Sequence, residues 1–172
     1  MATNDKLAAA AHFLISRVPP HQLGATKLNK MLWFADCEHF RRHGRSLTGE
    51  ETYIRKQNGP CPVGIEGALI RLKGRRVITE TLQPVMNYAR REFVSLEEPA
   101  LDTFTAEEVD ILLQVAFRIA NMTAQDASDL SHDDLWEGTD HNTSMSVEAG
   151  SVQFVPPTAE DLDWARRAFA AG

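Results

Sequence analysis

His132, Asp133, Asp134, Asp140 and His141 are of the types that bind metal ions, and they fall within ten residues of one another. Imidazole and carboxylate together suit zinc. The stretch nevertheless lacks a compact pattern such as His-Glu-x-x-His, and its spacing announces no ligand geometry. Cys61 could act as a nucleophile with His132 as its base, although a lone cysteine and a distant histidine make no signature. Gly59 and Gly64 lie among Pro60 and Pro62, and prolines withhold the N–H groups that a phosphate-binding nest needs. The expectation is a binding domain rather than an enzyme, with no metal and no cofactor.

Charge is the second source of chemistry. Arg71, Lys73, Arg75 and Arg76 close a helical pattern and precede a hairpin pattern, with Arg90 and Arg91 beside it. That order resembles a helix and wing, whose cations contact phosphates, yet cations also favour any helix C-terminus. Residues 1–91 hold 15 Lys/Arg against 7 Asp/Glu, whereas residues 92–172 hold 3 against 17, for a net charge of −6. The overall sign argues against nucleic acid as the main partner. Either the two halves neutralise each other, or one of them meets a charged partner. The acidic residues Glu97, Glu98, Asp102, Glu107, Glu108 and Asp110, and then Asp126, Asp129, Asp133, Asp134 and Glu137, could engage a basic protein. Several of them also suit helix N-termini.

These side chains must be positioned by a core. The chain has 172 residues, 43% of them hydrophobic, which suits one domain spanning 1–172. No apolar run approaches the ~18 residues of a membrane span. The start, MATNDKLAAAAHFLISR, reads as an amphipathic helix and not as a signal peptide. With two cysteines, Cys37 and Cys61, a disulfide framework is not expected and a cytoplasmic setting is.

The strongest pattern lies in Leu23 to Pro62. A helix capped by Thr26 and stopped by Gly44 puts Leu28, Leu32, Trp33, Ala35, Cys37 and Phe40 on a broad apolar arc, too wide for a surface helix. Asn29 and Asp36 fall inside that arc. A buried carboxylate needs partners, and Asp36 is expected to bond backbone near Asn58 to Cys61 or a cation of Arg55-Lys56. The opposite side carries Lys27, Lys30, Arg41 and Arg42 with Phe34 among them, which reads as an aromatic anchor in a charged rim. Thr52–Gln57 alternates as a strand, with Tyr53 and Arg55 on one face, and Asn58–Pro62 reads as a turn that cannot continue it.

A first helix is capped by Asn4 or Asp5 and ended by Pro19-Pro20. A third starts near Pro62 and uses Ile65, Ala68, Leu69 and Leu72 up to Gly74. Arg76–Glu80 and Glu92–Leu96 form a hairpin around a Pro84 loop. Thr105 and Glu108 form a capping box for a strong helix, Thr123 opens a short one, Ser131–Gly150 is loop around Trp136, and Thr158 caps a last helix with Leu162, Ala165, Ala168 and Phe169 inward. The fold class is α+β, mostly helical, with a small antiparallel sheet.

The order KLNKMLWFAD, HGRSL and NGPCP resembles the Panacea domain of SocA-type antitoxins. The residues that carry the likeness are Lys27, Leu28, Lys30, Met31, Leu32, Trp33, Phe34, Ala35, Gly44, Leu47, Gly59 and Pro60, then Ser131, His132 and Trp136. Trp33 stands where the family usually has tyrosine, and Pro62 comes one place early. The likeness spans roughly residues 5 to 155. It implies a bacterial antitoxin that binds a cognate protein toxin and silences it, with the SocA subgroup acting as an adaptor to the ClpXP protease. The helix face of Lys27, Lys30, Phe34 and Arg41 is read as the partner contact, and the family order implies that the strand end Arg55, Lys56, Asn58, Gly59 and Pro60 adjoins it, with the inward Asp36 and the family-matching His132 and Trp136 as a structural motif. The alternatives are a phage-derived or regulatory interaction module, or a winged-helix-like weak nucleic-acid binder.

Overall fold

In the computed structural model, which describes residues 3–153 and Arg167, the chain organises itself around one helix. That helix, α2 (Ala25–His43), buries Leu28, Met31, Leu32, Trp33, Phe34, Ala35 and Cys37. Gly44 ends it with φ 67° and donates its N–H to the Phe40 carbonyl, a conformation that suits a residue without Cβ. Its N-cap is Gly24, with no side-chain cap. Thr26 therefore sits inside the first turn, because the helix begins two residues earlier than the cap preference of threonine indicated.

Helix α1 (Thr3–Arg17) precedes it, followed by a 3-10 turn at Pro20–Gln22. Asn4 and Asp5 lie within α1 rather than before it. Strands β1 (Thr52–Lys56) and β2 (Gly59–Pro62) form a tight antiparallel hairpin, with Lys56 opposite Gly59 and Tyr53 opposite Pro62. Asn58–Pro62 is thus mostly strand, which corrects the turn expectation. Two prolines fit there because β2 is an edge: the sheet order is β2-β1-β5, and an edge strand tolerates missing donors. Helix α3 begins at Ile65, past Pro62, and ends at Gly74 with Ile65, Ala68, Leu69 and Leu72 buried.

The second hairpin, β3 (Ile78–Val85) and β4 (Tyr88–Ser95), is longer than expected. Pro84 pairs with Ala89 inside it instead of forming a loop, which a two-stranded sheet with two edges permits. Helix α4 (Ala106–Ala120) has the expected capping box of Thr105 and Glu108, and α5 (Ala124–Ser131) has one of Thr123 and Asp126. The polar stretch after it is more regular than its composition suggested. It holds a short α6 (Asp134–Glu137), β5 (Ser144–Ser146) paired with β1, and α7 (Val147–Gln153). Glycine explains the last of these. A Cβ on Gly150 would lie 2.6 Å from Trp33 Cη2 and 2.9 Å from Cys37 Sγ, so α7 reaches α2 only because position 150 has no side chain. The helix expected from Thr158 lies outside the described residues. The architecture is the expected mostly helical α+β fold, with two small antiparallel sheets among the described residues rather than one.

Candidate functional site

Lys30 is the residue on which the tip of the first hairpin depends. It projects from α2 and is 1% exposed. Its Nζ donates to the Asn58 carbonyl, which also accepts from Ser128 Oγ at 3.3 Å. Gly59 follows with φ 120°, and a Cβ there would collide with Lys30 Nζ and lie 2.7 Å from Ser131 Oγ. Two separated sequence signals, the lysine of KLNK and the glycine of NGP, are therefore halves of one contact. Burial lowers the Lys30 ammonium to about pKa 8, because desolvation penalises the charged form and no carboxylate offsets it.

The other side of β1 is stapled to α6. The Arg55 guanidinium lies 3.8 Å from the centre of the Trp136 ring, and its Nε donates to the Trp136 carbonyl at 3.1 Å. Trp136 Nε1 donates to the Lys56 carbonyl, and His132 stacks on the same indole at 3.7 Å and 10°. Burial and then the Lys30 cation push the His132 imidazole down, so its neutral form is favoured. Its Nε2 is buried with no hydrogen-bond partner. Lys56 Nζ donates to Asn142 Oδ1 at 2.9 Å. A recess of about 300 Å³ opens at this end, with Lys30, Lys56, Asn58, Gly59, Pro60 and His141 among its walls.

Not every expected contact residue belongs here. Lys27 is 9% exposed, and its Nζ bonds the Ala120 carbonyl at 3.0 Å, the favourable C-terminal end of α4. Phe34 is 5% exposed and belongs to the hydrophobic core. The open aromatic patch expected from Lys27, Lys30 and Phe34 is thus interior: this part of α2 is covered by other elements, and Lys27 and Lys30 reach polar atoms of neighbouring elements instead of solvent. Arg41 is exposed, 2.6 Å from Glu38, eleven residues along the helix from Lys30, which at 1.5 Å per residue is about 16 Å away.

Asp36 is fully buried, as expected, with different partners. Thr48 N–H and Oγ1 donate to it at 2.7 Å each, and Tyr53 OH donates at 2.5 Å. It ties the loop after α2 to β1, and Lys30 has the role at the hairpin tip that Asp36 was expected to fill. Burial outweighs these donors and raises the carboxyl to about pKa 7.

The other chemical readings gain little from the geometry. Burial raises the half-buried Cys61 thiol, the opposite of an activated nucleophile. Its Sγ accepts from Asn29 Nδ2 at 3.4 Å. Among the described residues no three His, Cys, Asp or Glu side chains gather as a metal would require. Beside the wing-like hairpin, Lys73 and Arg91 both bind Glu80, Arg91 also binds Glu66, and Arg90 binds Glu92. Local carboxylates thus neutralise much of that basic cluster. The two halves of the chain also pair elsewhere, through Lys6–Glu108, Arg17–Glu98 and Arg42–Glu107. Lys27, Lys30 and Lys56 take no part in this and bond only neutral oxygens.

Ser128 and Asn142 belong to the site, and nothing in the sequence marked them. A family model described as antitoxin SocA-like, Panacea domain, matches residues 28–137, a stretch that contains Lys30, the first hairpin and Trp136. No curated protein and no solved structure matches the chain.

Proposed function

The chain belongs to the SocA-like antitoxin family of the Panacea domain, and from that premise we propose that it binds a cognate protein toxin directly and neutralises it without chemical turnover. The observation that supports this reading is the first hairpin's end. There Lys56 and Asn58 are exposed on a framework pinned from beneath by Lys30 and from the side by Trp136. A rigid, charged, solvent-facing tip loses little entropy on association. Delivery of the bound toxin to the ClpXP protease is the finer form of the proposal.

The test is co-expression with each small open reading frame beside this one. Rescue of growth, with the toxin co-purifying on the tagged chain, is the expected result. Rescue that disappears in cells lacking ClpX, with toxin levels rising, assigns delivery. Rescue that persists there assigns blocking. If no neighbouring product is toxic, or if rescue occurs without co-purification, the reading fails.

A further inference from the structure

The recess at the hairpin tip does not end at Asn58. A second one, of about 450 Å³, lies across a ridge of Ala25, Thr26 and Asn58, with Lys27, Tyr88, Arg90 and Thr123 among its walls. Among the described residues neither recess is lined by an Asp or Glu side chain, in a chain whose net charge is −6. Three of the cations here have no counterion: Lys27 bonds the Ala120 carbonyl, Lys30 the Asn58 carbonyl and Lys56 the Asn142 amide oxygen. The first turn of the 19-residue α2 forms the ridge, and its N-cap is a glycine that offers no side-chain acceptor. Its leading N–H groups therefore add positive potential to the same place. α5 contrasts with it, since Asp126 already caps its start.

Resting on the toxin-binding reading, we propose that this double recess is the docking groove for an acidic peptide segment of the partner protein, whose carboxylates pair with the exposed Lys56 and answer the positive potential of the buried Lys27 and Lys30 beneath it. Uncompensated cations near a low-dielectric interior favour an occupant that brings negative charge with it. A peptide fits better than a nucleic acid. The recesses are short and divided by a ridge, which accommodates separate carboxylates. A polynucleotide carries a charge on every unit and would run against α5, where Asp126 and Asp129 follow the groove residues Thr123 and Ala124 within the same helix.

The test uses a fluorescein-labelled peptide, Glu-Glu-Gly-Ser-Gly-Ser-Glu-Glu, whose carboxylates form two separated pairs, followed by anisotropy at low salt (about 50 mM, where screening is weak). An oligo(dT) of similar charge is the competitor. The wild-type chain should bind the peptide saturably. Lys56→Glu should weaken binding roughly tenfold or more with its melting temperature unchanged, since Lys56 is exposed. Arg76→Glu, an exposed cation of the other basic cluster, should leave binding unaltered. Absence of binding, equal loss in both variants, or tighter binding of the oligo(dT) overturns the proposal. Neutralisation separates it from the broader reading. If wild type and Lys56→Glu rescue growth equally, the groove is wrong and toxin binding stands. If the peptide binds in a Lys56-dependent way while no neighbouring toxin is neutralised, the groove stands and the toxin reading fails.

Discussion

Gly59→Ala should destabilise the fold far more than the exchange of one hydrogen for a methyl group suggests. The native φ of 120° is a region that L side chains rarely adopt, at a cost of about 1–3 kcal/mol. The new methyl would also occupy the position of Lys30 Nζ. Moving that ammonium leaves a buried cation without its acceptor, for a further ~1–3 kcal/mol. The combined loss of about 2–6 kcal/mol corresponds to a fall in melting temperature of roughly 4–24 °C for a domain of this size. Thermal unfolding followed by circular dichroism measures it. Lys30→Met in the Gly59→Ala background removes the colliding ammonium and restores part of the loss, so the two changes should be strongly non-additive. A Gly59→Ala variant melting within about 2 °C of wild type, or strict additivity in the cycle, would refute the clamp.

Asp36→Ala strands the Thr48 N–H, the Thr48 hydroxyl and the Tyr53 hydroxyl in the interior. It should cost about 1–3 kcal/mol by urea unfolding, the scale of leaving buried donors unsatisfied, and a change below about 0.5 kcal/mol would contradict the network. The pH dependence of stability carries two signatures of opposite sign. The Asp36 carboxyl is raised from 3.8 to about 7, so its contribution is full below pH ~4 and is lost as pH rises towards 7; Asp36→Asn should flatten that slope. The Lys30 ammonium is lowered from 10.5 to about 8, so the unfolded chain binds the extra proton and stability rises between those values; Lys30→Met should remove that rise. Phe34→Ala, at a position 5% exposed, should lose about 3–5 kcal/mol as a core truncation does; unchanged unfolding would return Phe34 to the surface.

Local patterns carried the helices well. The period of apolar residues in α2 and α3, the capping box at Thr105 and the helix start at Thr123 are short-range signals, and the structure repeats them. Pairing across the chain was not legible. Nothing within residues 58–62 says that two prolines will lie in a strand, because that is allowed only by the absence of a neighbour beyond β2. Nothing within 144–146 says that a three-residue strand will find β1. The helical wheel placed Asp36 inside, yet it could not distinguish which distant donors would meet it, and Thr48 and Tyr53 displaced the expected hairpin backbone. The same limit misplaced Phe34: a wheel shows which residues share a side, and only the packing of the other elements shows that this side is covered as well. For the candidate site, Lys30, Lys56, Asn58, Gly59 and Pro60 were legible as a group through the family likeness, while Ser128 and Asn142 carry no local signal at all.

Hydrogen exchange on the chain with and without its toxin, once growth rescue has identified that toxin, tests the binding account most directly. Binding at the hairpin end predicts slowed exchange of the amides of Ala25, Thr26, Gln57 and Asn58, which border the two recesses, with the distant loop after α4's partner helix α2 at Gly44–Gly49 unchanged. Protection confined to the exposed face of α4 around Leu113 and Phe117, with none at the hairpin end, would contradict it.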